Sequence, residues 1–288
     1  MTIKGFGMNN SSSSRHIEMA PPRSKESGRY VTAVSKALDI LECFQTRPKL
    51  SLKELTKLTK MNRSRVMRLA GTLESRGFLS HNPDQKKYSL GSRLLTLGKV
   101  FEANNNLISQ TRPILRRLAK STGESAAIYA IDGLERITLA CEKGTQGIQY
   151  NVDEGEHKEL YAGAAGKVLL AFAPENVRSE IFKAKTFKRF TSHSIVDPQQ
   201  LFNELHSIHR QGYAFSEGER IADAFAIAVP IFNHEHNCCA ALGIAGPINR
   251  FPPEVRTRNL KIVQQEARNL SERLGAVLNE ENNPGHAA

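Results

Sequence analysis

Cysteine is scarce: Cys43, Cys141, Cys238 and Cys239 are the only four in 288 residues. So few do not make a disulfide framework, and none show the paired C-x-x-C spacing of a zinc site. They are expected to be reduced thiols. Long apolar runs are missing too. The stretch Ala224–Phe232 covers nine residues and contains Pro230, against the roughly 20 that a membrane helix needs. No transmembrane helix and no membrane partner are therefore expected. The opening residues, M-T-I-K-G-F-G-M-N-N-S-S-S-S, have no apolar core of the kind a secretory signal carries, so a cytoplasmic location is expected.

Apolar residues make up 40% of the chain, enough for real cores, and the length suits one large or two ordinary domains. The charge is lopsided. There are 40 Lys+Arg against 29 Asp+Glu, a net +11. Residues 1–98 hold 18 basic against 7 acidic side chains, whereas residues 99–288 hold 22 of each. All of the excess lies in the first third. Phosphate neutralisation is local, so this asymmetry suits a nucleic-acid-binding head joined to a neutral domain. A solvated basic face without a partner has the same arithmetic.

Residues 1–29, with the Ser11–Ser14 run and Pro21-Pro22, read as a disordered basic tail. From Val31 the pattern is helical, with Val34, Ala37, Leu38, Leu41 and Phe44 at i, i+3, i+4 spacing and Pro48 beyond the end. S-L-K-E at Ser51–Glu54 is a capping box opening a second helix. Asn62 caps a third, which runs to about Arg76 with Val66, Leu69, Ala70 and Leu73 inward and Gly77 at its end. This third helix presents Arg63, Ser64, Arg65 and Arg68 away from its apolar stripe, as a helix-turn-helix does. An arginine fork meets guanine O6 and N7, and the amides at a helix start favour phosphate. Phe78–His81 and Lys87–Leu90 read as strands about an Asn82-Pro83-Asp84 turn, a wing with Lys86 and Lys87 at its tip. The candidate DNA-binding residues are thus Ser51, Asn62, Arg63, Ser64, Arg65, Arg68, Lys86 and Lys87.

The segments V-S-K-A-L-D-I-L-E-C-F, L-S-L-K-E-L-T-K-L-T-K-M, S-R-V-M-R-L-A-G-T-L-E-S-R-G-F-L and Y-S-L-G-S-R-L-L-T-L-G resemble, in order and spacing, the N-terminal winged-helix domain of the IclR family of bacterial transcription regulators. The likeness continues in Y-A-G-A-A-G-K-V-L-L-A (161–171), G-Y-A-F-S-E-G-E (212–219), I-A-V-P-I-F (227–232) and A-A-L-G-I-A-G-P (240–247). It implies a winged helix-turn-helix domain (30–91), a linker helix (92–106), a GAF-like effector-binding domain (107–280) and a flexible tail (281–288), with heads and linkers pairing in a homodimer or a dimer of dimers.

The residues beyond the linker support an α+β domain on a central antiparallel sheet. Helices are expected over Leu107–Thr122, Ala164–Ala173, Glu175–Lys183, Pro198–Gln211 and Pro253–Asn279. Strands are expected over Ser125–Ile131, Arg136–Cys141, Ile148–Val152, Ala224–Phe232 and Cys238–Ala245, with Asp132-Gly133 as a hairpin turn. Carried over by resemblance, the effector pocket is lined by Ala164, Ala165, Ser216, Ala226, Gly243 and Ala245. Family members that bind small oxo-acids usually carry a Cys where this chain has Ala226, and Ser where it has Gly243 and Ala245. Fewer fixed donors and more room then favour an apolar or aromatic effector. Small residues that merely let elements pack closely are the competing account.

Other chemistries fit poorly. G-A-A-G-K-V lacks phosphate-loop spacing, and Val168 stands where a hydroxyl is needed. His234-Glu235-His236 with Cys238-Cys239 has no second ligand pair. Asp153-Glu154 and Glu156-His157 lack a nucleophile or a cofactor motif. No metal, no cofactor and no enzymatic activity are expected. Two readings remain: a DNA-binding regulator controlled by a small molecule, and a small-molecule enzyme with a basic interaction module.

Overall fold

The structure, a computed structural model, describes residues 31–45, 47–104 and 106–277. The tails expected at 1–29 and 281–288, and the far end of the last helix toward Asn279, lie outside these residues. The described residues fall into two compact units, divided after Phe101 near the end of the fourth helix.

In the first unit, α1 (Thr32–Glu42) runs into a short 3-10 turn at Cys43–Gln45. Then come β1 (Leu50–Ser51), α2 (Leu52–Thr59), α3 (Arg63–Ser75), β2 (Leu79–Asn82), β3 (Lys87–Leu90) and α4 (Ser92–Asn104). Ile40, Phe44, Leu50, Leu55, Val66, Ala70, Leu79 and Tyr88 form its core. The capping box is complete: Ser51 Oγ accepts from Glu54 N, and the Glu54 carboxylate accepts from Ser51 N at 2.8 Å. Asn62 Oδ1 caps α3 by accepting from Arg65 N at 2.8 Å. Gly77 follows α3 in the left-handed region, at φ +76. The wing is three-stranded, ordered β1-β3-β2, because Leu50 and Ser51 pair with Tyr88 and Lys87. That two-residue strand carries no periodicity from which to read it. The apolar stripe of α1 is only partly turned inward: Ile40 and Phe44 are buried, whereas Val34 and Leu38 are 57% and 52% exposed.

The second unit opens with α5 (Asn106–Thr122), ended by Gly123 at φ +80. A hairpin of β4 (Ser125–Asp132) and β5 (Glu135–Glu142) follows, turning at Gly133. Next are β6 (His157–Glu159), α6 (Ala164–Ala171), α7 (Glu175–Ile181), α8 (Pro198–Gln211), β7 (Ala214–Glu217), β8 (Ala224–Phe232), β9 (Cys238–Pro247) and α9 (Pro253–Arg273). The six strands form one antiparallel sheet, ordered β6-β5-β4-β9-β8-β7. The Asp197 carboxylate caps α8 through the Gln199 and Gln200 amides.

Ile148–Val152, expected as the third strand, is an extended loop. Side chains take its carbonyls: Arg250 Nη2 donates to Ile148 O at 2.9 Å, Ser125 Oγ to Tyr150 O at 2.8 Å and Cys141 Sγ to Val152 O at 3.1 Å. The sheet edge is instead His157–Glu159, paired with Glu135–Ile137. The last helix ends at Arg273, short of Asn279, where Gly275 adopts φ +86.

Alternation along β8 and β9 divides the domain into layers. Phe225, Ile227, Val229, Ile231, Leu242 and Ile244 pack with α5 and α9 on one side of the sheet. Ala127, Ala228 and Ala241 face α6 and α8 on the other. Small side chains on that second face let α6 come close, and a cavity opens beside its first turn.

Candidate functional site

Two places in the chain have the chemistry of a binding site. On α3, Arg63, Ser64 and Arg68 are exposed and Arg65 half-buried, opposite the buried Val66 and Ala70. Lys86 and Lys87 are exposed on the wing, with Lys86 in the left-handed region at φ 50. None of these five cations forms an ion pair among the described residues, so the surface is an unneutralised positive face. Ser51 and Asn62 are differently employed: their side chains close the ends of α2 and α3.

The second place is the cavity of about 50 Å³ in the second unit. Of the six residues expected there, Ala164, Ala165, Ser216, Ala226 and Ala245 line it; Gly243 does not. A Cβ on Gly243 would stand 2.5 Å from the Ile227 carbonyl oxygen, so glycine serves the pairing of β9 with β8. The room expected opposite the alanines is taken by Tyr129 and Tyr150, and the wall is more polar than expected, with Arg136, Glu219 and Arg220.

These residues were not singled out from the sequence, because their partners lie far along the chain. Gly163, at φ +82, begins α6 and donates its N–H to Glu219 Oε2 at 3.1 Å. Lys167, 2% exposed, holds Glu219 at 2.6 Å and Glu204 at 2.9 Å. The lysine that invited a phosphate-loop reading is therefore a buried brace between α6, α8 and the segment after β7. Arg220 pairs with Glu159 at 2.7 Å. Burial would raise the Glu159 carboxyl, but Arg220 beside it holds it below the usual range. Arg136 Cζ lies 4.5 Å from the centroid of the Tyr129 ring. Burial pushes the Tyr129 phenol up to about 12, against a smaller lowering by Arg136, so the phenol keeps its proton at neutral pH. The acidic segment after the loop is structural: Glu154 pairs with Arg112 at 3.0 Å, and His157 with Asp132 at 2.9 Å.

Known proteins share this arrangement. Residues 33–83 match the IclR helix-turn-helix domain, and residues 102–272 match the family described as bacterial transcriptional regulator IclR, C-terminal. The HTH-type transcriptional regulator KipR of Bacillus subtilis is 31% identical over 84% of this chain and 96% of its own length. The crystal structure of the Thermotoga maritima IclR superposes with a TM-score of 0.70 at 28% identity, covering 85% of this chain and 100% of that one. An IclR homolog from Microbacterium hydrocarbonoxydans, solved in complex with 4-hydroxybenzoate, has a TM-score of 0.73 at 21% identity, covering 84% of this chain and 98% of that one. A basic helix-turn-helix head and an α+β domain built around a cavity are thus found together over nearly the whole described chain, which belongs to the IclR family of bacterial transcriptional regulators, with a DNA-binding and an effector-binding domain.

Proposed function

We propose that the chain reads operator DNA with Arg63, Ser64, Arg65 and Arg68 of α3 in the major groove and grips the flanking backbone with Lys86 and Lys87, working in the cytoplasm without turning over a substrate. The observation that carries this reading is the face of α3, where Arg63 and Arg68 stand exposed and Arg65 half-buried beside a serine, with no ion pair among the described residues, opposite a well-buried stripe. Arginine forks specify bases, whereas lysines on a ribbon supply sequence-independent attraction. Ser51 and Asn62 act through the caps they form.

Two heads are expected to bind as a pair, because half-sites one helical turn apart need a two-fold protein. The exposed Val34 and Leu38 of α1, and Leu95, Val100 and Phe101 of α4, supply apolar surface for that pairing. In the second domain, Tyr129, Tyr150 and Ile221 offer ring and aliphatic surface to an effector with an apolar or aromatic body. Control is by linkage: the effector changes operator affinity only as far as it binds the competent and incompetent states differently.

A mobility shift with the DNA upstream of the chain's own gene tests the reading. Saturable binding is expected that resists excess random duplex and weakens steeply from 50 to 200 mM salt. Equal affinity for every duplex contradicts it.

A further inference from the structure

The second domain is neutral as a whole, but its charge is not evenly spread. Residues 182–196, which join α7 to α8, carry Lys183, Lys185, Lys188 and Arg189 and no acidic side chain. The rest of residues 99–288 holds 18 basic against 22 acidic side chains, so this loop is a positive island on a weakly acidic domain. Lys183 is answered by Glu180 of α7. Lys185, Lys188 and Arg189 are exposed and form no ion pair among the described residues. Glu159, which lies within reach of the Lys188 charge, is already held by Arg220.

The loop is not slack. Ser194 Oγ accepts from the amides of Phe190 and Thr191 at 2.9 Å each and donates to Glu219 O at 2.8 Å, and Phe187 N donates to Val196 O at 3.1 Å. Its aromatic rings are taken up by the domain itself. Phe187 is buried, stacked on Tyr161 at 4.5 Å, and Phe190 is half-buried with Arg220 Cζ 4.3 Å and Lys188 Nζ 5.3 Å from its ring centroid. What the loop leaves exposed, Ala184 apart, is lysine, arginine, hydroxyl and imidazole side chains. A protein interface has an apolar core and is poor in lysine, whereas lysine, arginine, serine and threonine are the groups that meet nucleic-acid phosphates. Because the loop is fixed before binding, little ordering entropy opposes such a contact. We infer that this loop is a second nucleic-acid contact, outside the winged helix, in which Lys185, Lys188 and Arg189 take phosphates of the duplex flanking the operator without reading its sequence. This rests on operator binding by α3 and adds a sequence-independent attraction to it.

The test compares two duplexes with the full chain: the shortest operator that the protein protects from nuclease, and that operator extended by about 20 base pairs of arbitrary sequence on each side. The extension is expected to tighten wild-type binding about tenfold or more at low salt, whichever flanking sequence is used. Combined Lys185→Gln, Lys188→Gln and Arg189→Gln is expected to lose that gain and to keep the wild-type affinity for the short duplex. These side chains are exposed and unpaired, so their replacement leaves the folded state intact. On the extended duplex the variant is expected to lower the slope of log affinity against log salt by about 2–3, the counterion release of three phosphate contacts. The inference is overturned if the extension brings the wild type no gain, if the variant keeps the gain, or if the variant weakens both duplexes alike. It is overturned in favour of an acidic protein partner if poly-glutamate, and not the extended duplex, separates wild type from variant. Failure of the wild type to prefer the short operator to a scrambled duplex of equal length strikes the reading of α3 together with this inference. A preference without a gain from the flanks strikes this inference alone.

Discussion

Ser51 caps α2 with its hydroxyl while its own amide holds the Glu54 carboxylate, and that pair couples head stability to pH. The Ser51 amide first, and then its hydroxyl, hold the Glu54 carboxyl below its ordinary 4.5. A carboxyl whose folded value is lowered stabilises fully above its unfolded value and loses that contribution as pH falls through the lowered one. Ser51→Ala is therefore expected to cost about 1 kcal/mol at pH 7 and to flatten the acid side of the stability profile, as read by urea unfolding across pH 3–7. An unchanged midpoint and slope contradict it. At this scale legibility followed sequence distance. The box at Ser51 and Glu54, the Asn62 and Asp197 caps and the terminating glycines are local patterns with one geometric meaning. Arg136 gave no such signal: an arginine in E-R-I-T-L-A-C reads as the solvent side of a strand. It is buried in the cavity wall, over the Tyr129 ring and beside Tyr150 and Arg220.

Helical glycines show what an element reveals only when its neighbours are present. Gly71 sits on the outer face of α3 with nothing near its missing Cβ, whereas a Cβ on Gly166 in α6 would lie 2.6 Å from the Leu160 carbonyl oxygen. Gly71→Ala is expected to stabilise the head by about 0.5–1 kcal/mol through helix propensity. Gly166→Ala is expected to destabilise the second domain by about 1–3 kcal/mol, because backbone must move to admit the methyl. Chemical denaturation of both variants checks the opposite signs; two changes of the same sign defeat the packing account. The sequence treats the two residues alike. It also marked out α5 to α9, β4, β5, β8 and β9, but it missed the four-residue β7 and placed the third strand of the second domain at Ile148–Val152. That run has strand composition, yet its carbonyls bond to Arg250, Ser125 and Cys141. Strand identity is decided by which partner arrives, and β6, three residues long, offers almost no pattern of its own.

Over the whole molecule the division of labour was visible in arithmetic: all of the net positive charge falls before Gly98, and the rest of the chain is neutral. Charge is additive along a sequence, so the head showed itself. The cavity did not, because its wall is assembled from β4, β5, β7, β8, β9, the Tyr150 loop and the start of α6; the resemblance supplied five of its residues, Ser216 among them, and the fold supplied its charged ones. An operator site and an effector cavity on one chain require coupling, and the coupling is reciprocal: an effector that loosens operator binding by some factor is itself bound more weakly, by the same factor, when the operator is present.

The central claim is that the outer face of α3 reads sequence. It is tested most directly by the ratio of dissociation constants for the operator and a scrambled duplex of equal length, measured for the wild type and Arg68→Ala at one salt concentration. If Arg68 meets a base, the substitution costs roughly 1–3 kcal/mol on the operator and far less on the scrambled duplex, so the preference for the operator shrinks by about 5- to 150-fold. An equal loss on both duplexes, leaving the ratio intact, would make Arg68 a phosphate contact and contradict the account.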